Sequence, residues 1–544
     1  MQSGIAAIVS RRAAPFWTVF ALALAVRLAH YVAMRENDPL FGVLLRGGDN
    51  HEYHRWAIEI AQTFWLGWDR VPFTQGPLYP YFLGMGFLRF GSAYSTAVLL
   101  QHFLGACTCV LVFSTTLRVF GRFEAWLAAL MAVFCPIFLL YEGEILAETL
   151  VLFVNVAALR LLLWAHDRQA AADTAAGGGE TFIGGESDAS RSGRLRLWWR
   201  WLTAGLMLGL CVTARPNALL FVPVALFWIL TAGSVPRKRA GTVCMLMLGV
   251  VLAIMPVTAA NYFGGGEFVL VSKNGSWNLY IGNAYDSTGT YARPHSMWAV
   301  VFDEQANEAD INWTPHLIAS IREHPTSLPR LLWTKTRLFW QSGEVPHVAN
   351  FYLKRSFSPF LRVPLAFGVV APLGLVGIVF AFSIRLRRWS DGAVLLLLYL
   401  AVYSASIILV FVLSRLRLPA LAVLIVFASA ALAAALRGAG YGVRALLRGE
   451  HRAASAFAVV PLAVAVGWAG LGFALRSPDD GLLIRWADHY NLATGYELGK
   501  RYAEALREYE AAIERAPALA PRFEESMQFL RGHLDTTPTE SAVL

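Results

Sequence analysis

Eleven stretches of this chain are apolar over close to the length that a bilayer crossing needs, about twenty residues, and that fixes the solvent it must fold in. They cover residues 15–34, 93–117, 123–141, 145–165, 200–214, 216–234, 241–262, 360–384, 392–413, 417–436 and 453–475. Hydrocarbon supplies no partners for backbone N–H and C=O groups, so such stretches must be helices. The expected fold is an all-α polytopic membrane protein with about eleven transmembrane helices. Composition agrees: 56% of residues are hydrophobic and 15% charged, against roughly 45–50% and 25% in soluble domains. The first run follows Arg11 and Arg12 and is too long for a cleaved leader, so it reads as a retained signal anchor.

The net charge of +9 comes from short basic clusters beside the apolar runs. They are topology signals, and no basic-aromatic domain accompanies them, so nucleic acid is not an expected partner. Placing Arg11/Arg12, Arg118/Arg122, Arg194–Arg200, Arg237–Arg239, Arg385–Arg388 and Arg444–Arg452 in the cytoplasm decides two ambiguous regions. The stretch 201–235, broken at Arg215–Pro216, becomes a hairpin with its tip outside. The stretch 73–91, with Pro77, Pro80 and Arg89, becomes a juxtamembrane helix at the outer face. The five cysteines lie within apolar runs without metal-ligand spacing and read as packing residues.

This topology divides the chain into a transmembrane domain over 1–475 and an external helical tail over 476–544. The former carries external loops at 35–92 and 263–357, the second a mixed, partly helical region too long to be a plain connection. Residues 168–193, rich in Ala, Gly, Ser and Asp, are expected to be a disordered cytoplasmic loop. In the tail, Leu492, Tyr496, Ala505, Tyr509, Ala512 and Pro517 follow the pattern of one tetratricopeptide repeat. A lone repeat buries little core, and a docking helix pair is favoured over a partner-binding array.

Charges that reach the outer face are the candidates for chemistry. Asp49 stands just after the first membrane exit, in Gly47-Gly48-Asp49-Asn50-His51-Glu52-Tyr53. Glu144 and Glu148, four apart, share a helix face, and Glu148 enters an apolar span, where a carboxylate is costly without a partner or cavity. Arg215, Arg415 and Arg417 interrupt apolar stretches, and a guanidinium fork suits phosphate oxygens. Solvation, ion pairing and snorkelling to headgroups are the plain alternatives. Together these groups suggest a reaction on a lipid-anchored phosphate ester, with a carboxylate as base and arginines on the departing phosphate. A divalent cation could assist, although no certain metal motif is present.

Taken together these residues resemble the GT-C glycosyltransferases, in particular the protein O-mannosyltransferase and aminoarabinose transferase branch (glycosyltransferase family 39-like). Asp49, Tyr53 and Ala57 match the family's first external loop, with Asn50 and nearby Glu52 where the family carries a second acid. Gly76-Pro77-Leu78-Tyr79-Pro80, Glu148, Arg215-Pro216 and Arg415-x-Arg417-x-Pro419 match in the same order, as does the bacterial segment Asn274-Gly-Ser-Trp277-Asn278-Leu-Tyr280-Ile-Gly-Asn283. The resemblance spans roughly 15–430. It implies a GT-C fold, a polyprenyl-phosphate-linked sugar as donor, a lipid, glycan or protein acceptor, and inversion at the anomeric carbon. It implies a bacterial inner-membrane location with a periplasmic active site. Asp49 would be the catalytic base, and Glu52, Glu144 and Glu148 would assist acceptor or metal. Arg215, Arg415 and Arg417 would hold the lipid phosphate, and Tyr53, Trp277, Asn278, Tyr280 and Asn283 would contact sugar or acceptor. The rival readings are a transporter or flippase of lipid-linked saccharide, and a membrane scaffold acting through the tail.

Overall fold

The computed structural model describes residues 2–44, 48–63, 70–177, 188–232, 240–305, 308, 311–384, 390–476 and 484–536. Helices account for the regular structure, and among the described residues there is no strand. Helix α1 (Gln2–Asn37) is followed by the short α2 (Asp49–Thr63) and α3 (Leu78–Phe90), then α4 (Tyr94–Val119). α5 (Arg122–Val133) and α6 (Pro136–Glu142) form one apolar path bent by 48°. The bend falls at Pro136, which lacks the N–H needed to continue α5 and is well placed to start α6. α7 (Glu148–Gly177), α8 (Asp188–Ala214), α9 (Phe221–Thr231) and α10 (Ala240–Gly265) follow.

Five short helices occupy the next segment: α11 (Gly275–Asn283), α12 (His295–Glu304), α13 (Trp313–Glu323), α14 (Ser327–Trp340) and α15 (Phe351–Lys354). The chain then returns to long apolar helices, α16 (Phe367–Ile384), α17 (Asp391–Ile408), α18 (Leu418–Leu447) and α19 (His451–Ala474), and ends with α20 (Trp486–Leu498), α21 (Tyr502–Arg515) and α22 (Ala520–Thr536). Among the described residues, eight helices are long and apolar enough to cross a membrane, and the bent pair makes a ninth. Two shorter apolar helices, Pro216–Thr231 and Phe367–Phe382, fall on the remaining two expected spans.

The hairpin at Arg215 is present. Arg200, midway along α8, lies over the Trp164 ring at 5.1 Å, and Trp228, near the end of α9, meets the His166 ring at 5.0 Å. Both arms therefore reach the same end of α7, and Arg215 is at the opposite end. The break is local chemistry: the residue before a proline is driven out of the helical region, and Arg215 sits at φ −153°, ψ 113°. α3 has thirteen residues, about 20 Å of helix, and does not cross. Tyr79 at its start bonds Gln101, and Tyr94 just beyond its end donates to the Gly143 carbonyl at 2.9 Å, so both its ends stay at the Arg215 end.

At the other end Arg118 donates to Asp167 at 2.6 Å and Arg437 pairs with Glu124 at 2.6 Å. α18 is the central helix, with Leu418 through Ser429 all buried, while only 6% of the apolar window of α19 is buried. Where composition suggests a structureless loop over 168–193, α7 runs on to Gly177 and α8 begins at Asp188; the loop's remaining residues, 178–187, fall outside those described.

Candidate active site

Four elements deliver charges to one cluster at the Arg215 end. Asp49 opens α2, Glu148 opens α7, Arg215 closes α8, and Arg415 lies in the 3-10 turn Ser414–Arg417 that precedes α18. Both acids occupy helix N-termini, where the helix dipole favours negative charge. Arg415 Nη1 donates to Asp49 Oδ2 at 2.8 Å, its Nε lies 3.6 Å from Glu148 Oε1, and Arg215 Nη2 donates to that same Oε1 at 2.7 Å.

The network is incompletely satisfied. Glu148 Oε2, Arg215 Nη1 and Arg415 Nε are buried without a hydrogen-bond partner. A buried polar atom left unpaired costs about 1–3 kcal/mol, so the cluster keeps hydrogen-bonding capacity that protein atoms do not use.

Gln75, a residue no motif singles out, completes the setting of Asp49 with a side-chain hydrogen bond. Its neighbour Gly76 passes so close to the end of α8 that a Cβ there would meet the Ala214 carbonyl oxygen at 2.5 Å. Only glycine lets the loop before α3 lie against α8, and that contact puts Gln75 beside Asp49. Burial works to raise the Asp49 carboxyl, but the Arg415 guanidinium and the bonds from Arg415 and Gln75 outweigh it and hold the group below the ordinary carboxylate range.

His347 and Tyr291 flank the charged cluster. Their rings meet edge to face at 4.9 Å, and both lie within electrostatic reach of Asp49 and Arg415. Burial, with the Arg415 charge, pushes the His347 imidazole down to about 3, so it is neutral at physiological pH. Tyr403, on α17, hydrogen-bonds with Arg215 and donates its hydroxyl to the Leu416 carbonyl at 3.0 Å. Nothing in the sequence marks His347, a lone histidine in a loop. Tyr399 and Tyr403, four apart in an apolar span, were the one available signal for the tyrosine.

The remaining expected residues lie as follows. Tyr53 belongs to the cluster: its ring packs edge to face on Tyr79 at 5.0 Å, and it senses both Asp49 and Glu148. Glu52 is turned away, half exposed and paired with Arg55 at 2.8 Å. Glu144 joins a different cluster with Lys354, 3.0 Å away, and Asp38.

Arg417 is consumed by structure. It donates to the carbonyls of Phe339, Gln341 and Gly343 and to Glu344 and Ser414, with Phe367 under its guanidinium at 4.0 Å. Tyr280 is buried, bonds Ser296 at 3.0 Å and packs on Trp313. Asn283 bridges the Leu409 carbonyl and Lys335, whose ammonium burial pushes down to about 8. Both pin α11 in place. Trp277 and Asn278 are half-buried on the same helix, and the Trp277 indole N–H has no partner.

Among the described residues no group of three His, Cys, Asp or Glu could hold a metal ion. Asp49 and Glu148 are each already paired with arginine, so the arrangement does not fit a cation.

Solved structures of GT-C membrane enzymes are similar to this chain. The Archaeoglobus fulgidus oligosaccharyltransferase in its apo form shares 16% identity at a TM-score of 0.48, covering 91% of this chain and 59% of its own. ArnT from Cupriavidus metallidurans, solved in the apo state and bound to undecaprenyl phosphate, shares 14% and 13% identity at a TM-score of 0.42, covering 94% of this chain and 80% of its own. The chain thus spans about three fifths of the length of the archaeal enzyme and four fifths of ArnT. No family model and no curated protein sequence matches it.

Proposed function

We propose that the chain is a membrane glycosyltransferase that moves a sugar from a polyprenyl-phosphate donor to an acceptor hydroxyl, with inversion, on the non-cytoplasmic face of a bacterial inner membrane. The observation that carries this reading is the meeting of Asp49, Glu148, Arg215 and Arg415, from four separate elements, in one partly open ion network with three buried unpaired polar atoms. Sidedness is supported by the basic residues: Arg118, Arg437, Arg444 and Arg448 all lie at the far ends of their helices from this cluster.

In the proposed reaction the donor phosphate lies on Arg215 and Arg415, whose unpaired N–H groups donate to its oxygens. Asp49 takes the proton of the acceptor hydroxyl, whose oxygen attacks the anomeric carbon opposite the phosphate. The carbon–oxygen bond to phosphate breaks, and its electron pair leaves with the phosphate, held by the two arginines. A single displacement of this kind inverts the configuration. The Asp49–Arg415 pair adds a control: a phosphate that draws Arg415 away and adds negative charge nearby raises the basicity of Asp49 when donor is present.

Membranes carrying the full chain, given labelled polyprenyl-phosphate sugars, test this. Asp49→Asn is expected to lower transfer by about 10²–10⁴-fold, with donor binding and Tm unchanged. Transfer that survives this substitution removes Asp49 from the mechanism.

A further inference from the structure

The C-terminal tail is joined to the charged cluster through one loop. Residues 341–350, between α14 and α15, are fixed at their start by the membrane helices. Ser414 N–H donates to the Val345 carbonyl at 3.1 Å, and Arg417 holds Gly343 and Glu344. The second half of the loop is held by the tail. Arg485 Nη2 donates to the His347 carbonyl at 2.9 Å, and Asn350 Nδ2 donates to Asp488 Oδ2 at 2.8 Å.

These two tail residues are themselves a unit. Arg485 Nη2 also donates to Asp488 Oδ1 at 2.9 Å, and the buried Asp488 carboxylate caps α20 by accepting from the Arg485 backbone N–H at 2.7 Å. Asn350 in turn uses Oδ1 to cap α15, accepting from Tyr352 N–H at 2.9 Å. The same tail helix lies on the turn after α1, where a Cβ on Gly495 would stand 2.8 Å from the Pro39 carbonyl oxygen. The grip spans His347 and Asn350, and His347 is the residue that faces Asp49 and Arg415, with Nδ1 buried and unpartnered.

We propose that Arg485 and Asp488 are positioning residues: the tail clamps the 347–350 loop so that the His347 side chain forms the acceptor wall of the transfer site, its Nδ1 free to hydrogen-bond the acceptor. This rests on the glycosyltransferase reading for its activity arm. It assigns the tail a role in the reaction without any partner protein.

The test uses the full chain in membranes or detergent, with Arg485→Ala, Asp488→Ala, Arg485→Lys and His347→Ala. Hydrogen–deuterium exchange comes first. Both alanine variants in the tail are expected to raise exchange in 343–352 and in α20, with the spans unchanged; unchanged exchange in 343–352 overturns the clamp. Steady-state transfer comes second. Both tail variants and His347→Ala are expected to raise the acceptor KM about tenfold, the scale of one lost hydrogen bond, with the donor KM constant and Arg485→Lys partly rescued. Equal changes in donor and acceptor KM, or none, overturn the positioning role. A wild-type chain that transfers no sugar, with the exchange result intact, leaves the mechanical clamp standing and rejects the glycosyltransferase reading together with the acceptor role.

Discussion

Two ion networks sit a few residues apart in sequence at the same end of this molecule, and they are built to opposite specifications. In the closed one, Arg27 donates to Glu142 at 2.8 Å, His102 meets the other carboxylate oxygen at 3.1 Å, and both charged side chains are 2% exposed or less. Gly105 makes room for it, since a Cβ there would overlap the Glu142 carboxylate. In the open one, Asp49 is 28% exposed, Arg215 20% and Arg415 11%, and three polar atoms point at no protein partner. The sealed pair also leaves Arg27 Nε and His102 Nε2 without a hydrogen-bond partner, but its charged side chains are out of solvent. The open network keeps its side chains partly exposed, so a ligand can approach its edge. The two networks differ in exposure and not in whether they leave polar atoms unpaired.

Breaking the closed network should give the largest effect on stability. Arg27→Met strands Glu142 in the interior and is expected to cost about 3–5 kcal/mol, read as a fall in Tm in detergent. Arg27→Met with Glu142→Leu should recover most of it. A single variant with unchanged Tm would mean that His102 alone can neutralise Glu142 and that the network is less sealed than it looks.

Breaking the open network should spare stability and remove activity. Arg415→Ala is expected to lower transfer by about 10²–10³-fold, the loss on removing one charge-stabilising donor. Its Tm should hardly move, because Glu148 keeps Arg215. The same variant sharpens the comparison through pH. The Asp49 carboxyl is depressed by Arg415, so wild-type kcat/KM should persist to pH values below the ordinary carboxylate range, and Arg415→Ala should move the acidic limb upward. An acidic limb that stays in place would show that another group controls it.

The sequence made the apolar helices legible, because hydropathy is a local property. Asp49, Glu148, Arg215 and Arg415 were legible for a related reason: each is a charge at the end of an apolar run. What local pattern could not show was direction. Arg415 and Arg417 are two residues apart, yet one faces the cluster and the other is locked by carbonyls and Glu344, because in a 3-10 turn of three residues per turn, positions i and i+2 point about 120° apart. Glu142, Glu144 and Glu148 likewise part company where the chain turns from α6 to α7, each meeting a different cation. The segment Asn274 to Asn283 looked most distinctive and is in large part packing, since Tyr280 and Asn283 face inward. His347 and Gln75 were invisible because only tertiary contacts bring them to Asp49.

Gly76→Ala probes the join between the two kinds of region. The added methyl has only backbone to push against, so a shift of the loop before α3 is forced, at about 1–3 kcal/mol. The shift draws Gln75 from Asp49. Transfer should fall further than stability alone explains, measured as kcat at a temperature where the variant is fully folded. A fall in Tm with normal kcat would place Gln75 outside the working set.

The smallest effect should come from Glu144, and its sign is the informative part. Burial holds its carboxyl above the ordinary range, with Lys354 only partly opposing, because Asp38 also claims that ammonium. A folded-state pKa above the unfolded value means the native state holds the proton longer. Stability from this group is then greatest below the unfolded pKa and declines as pH rises through the folded pKa. Asp49, with its pKa depressed, has the opposite slope, stabilising above the unfolded pKa and losing that contribution as pH falls through the folded one. Glu144→Gln should therefore change stability at neutral pH by no more than about 1 kcal/mol and flatten the decline of Tm with rising pH. A loss of several kcal/mol at every pH would instead make Glu144 an obligatory counter-ion of Lys354, and place this cluster with the sealed Arg27–Glu142 pair.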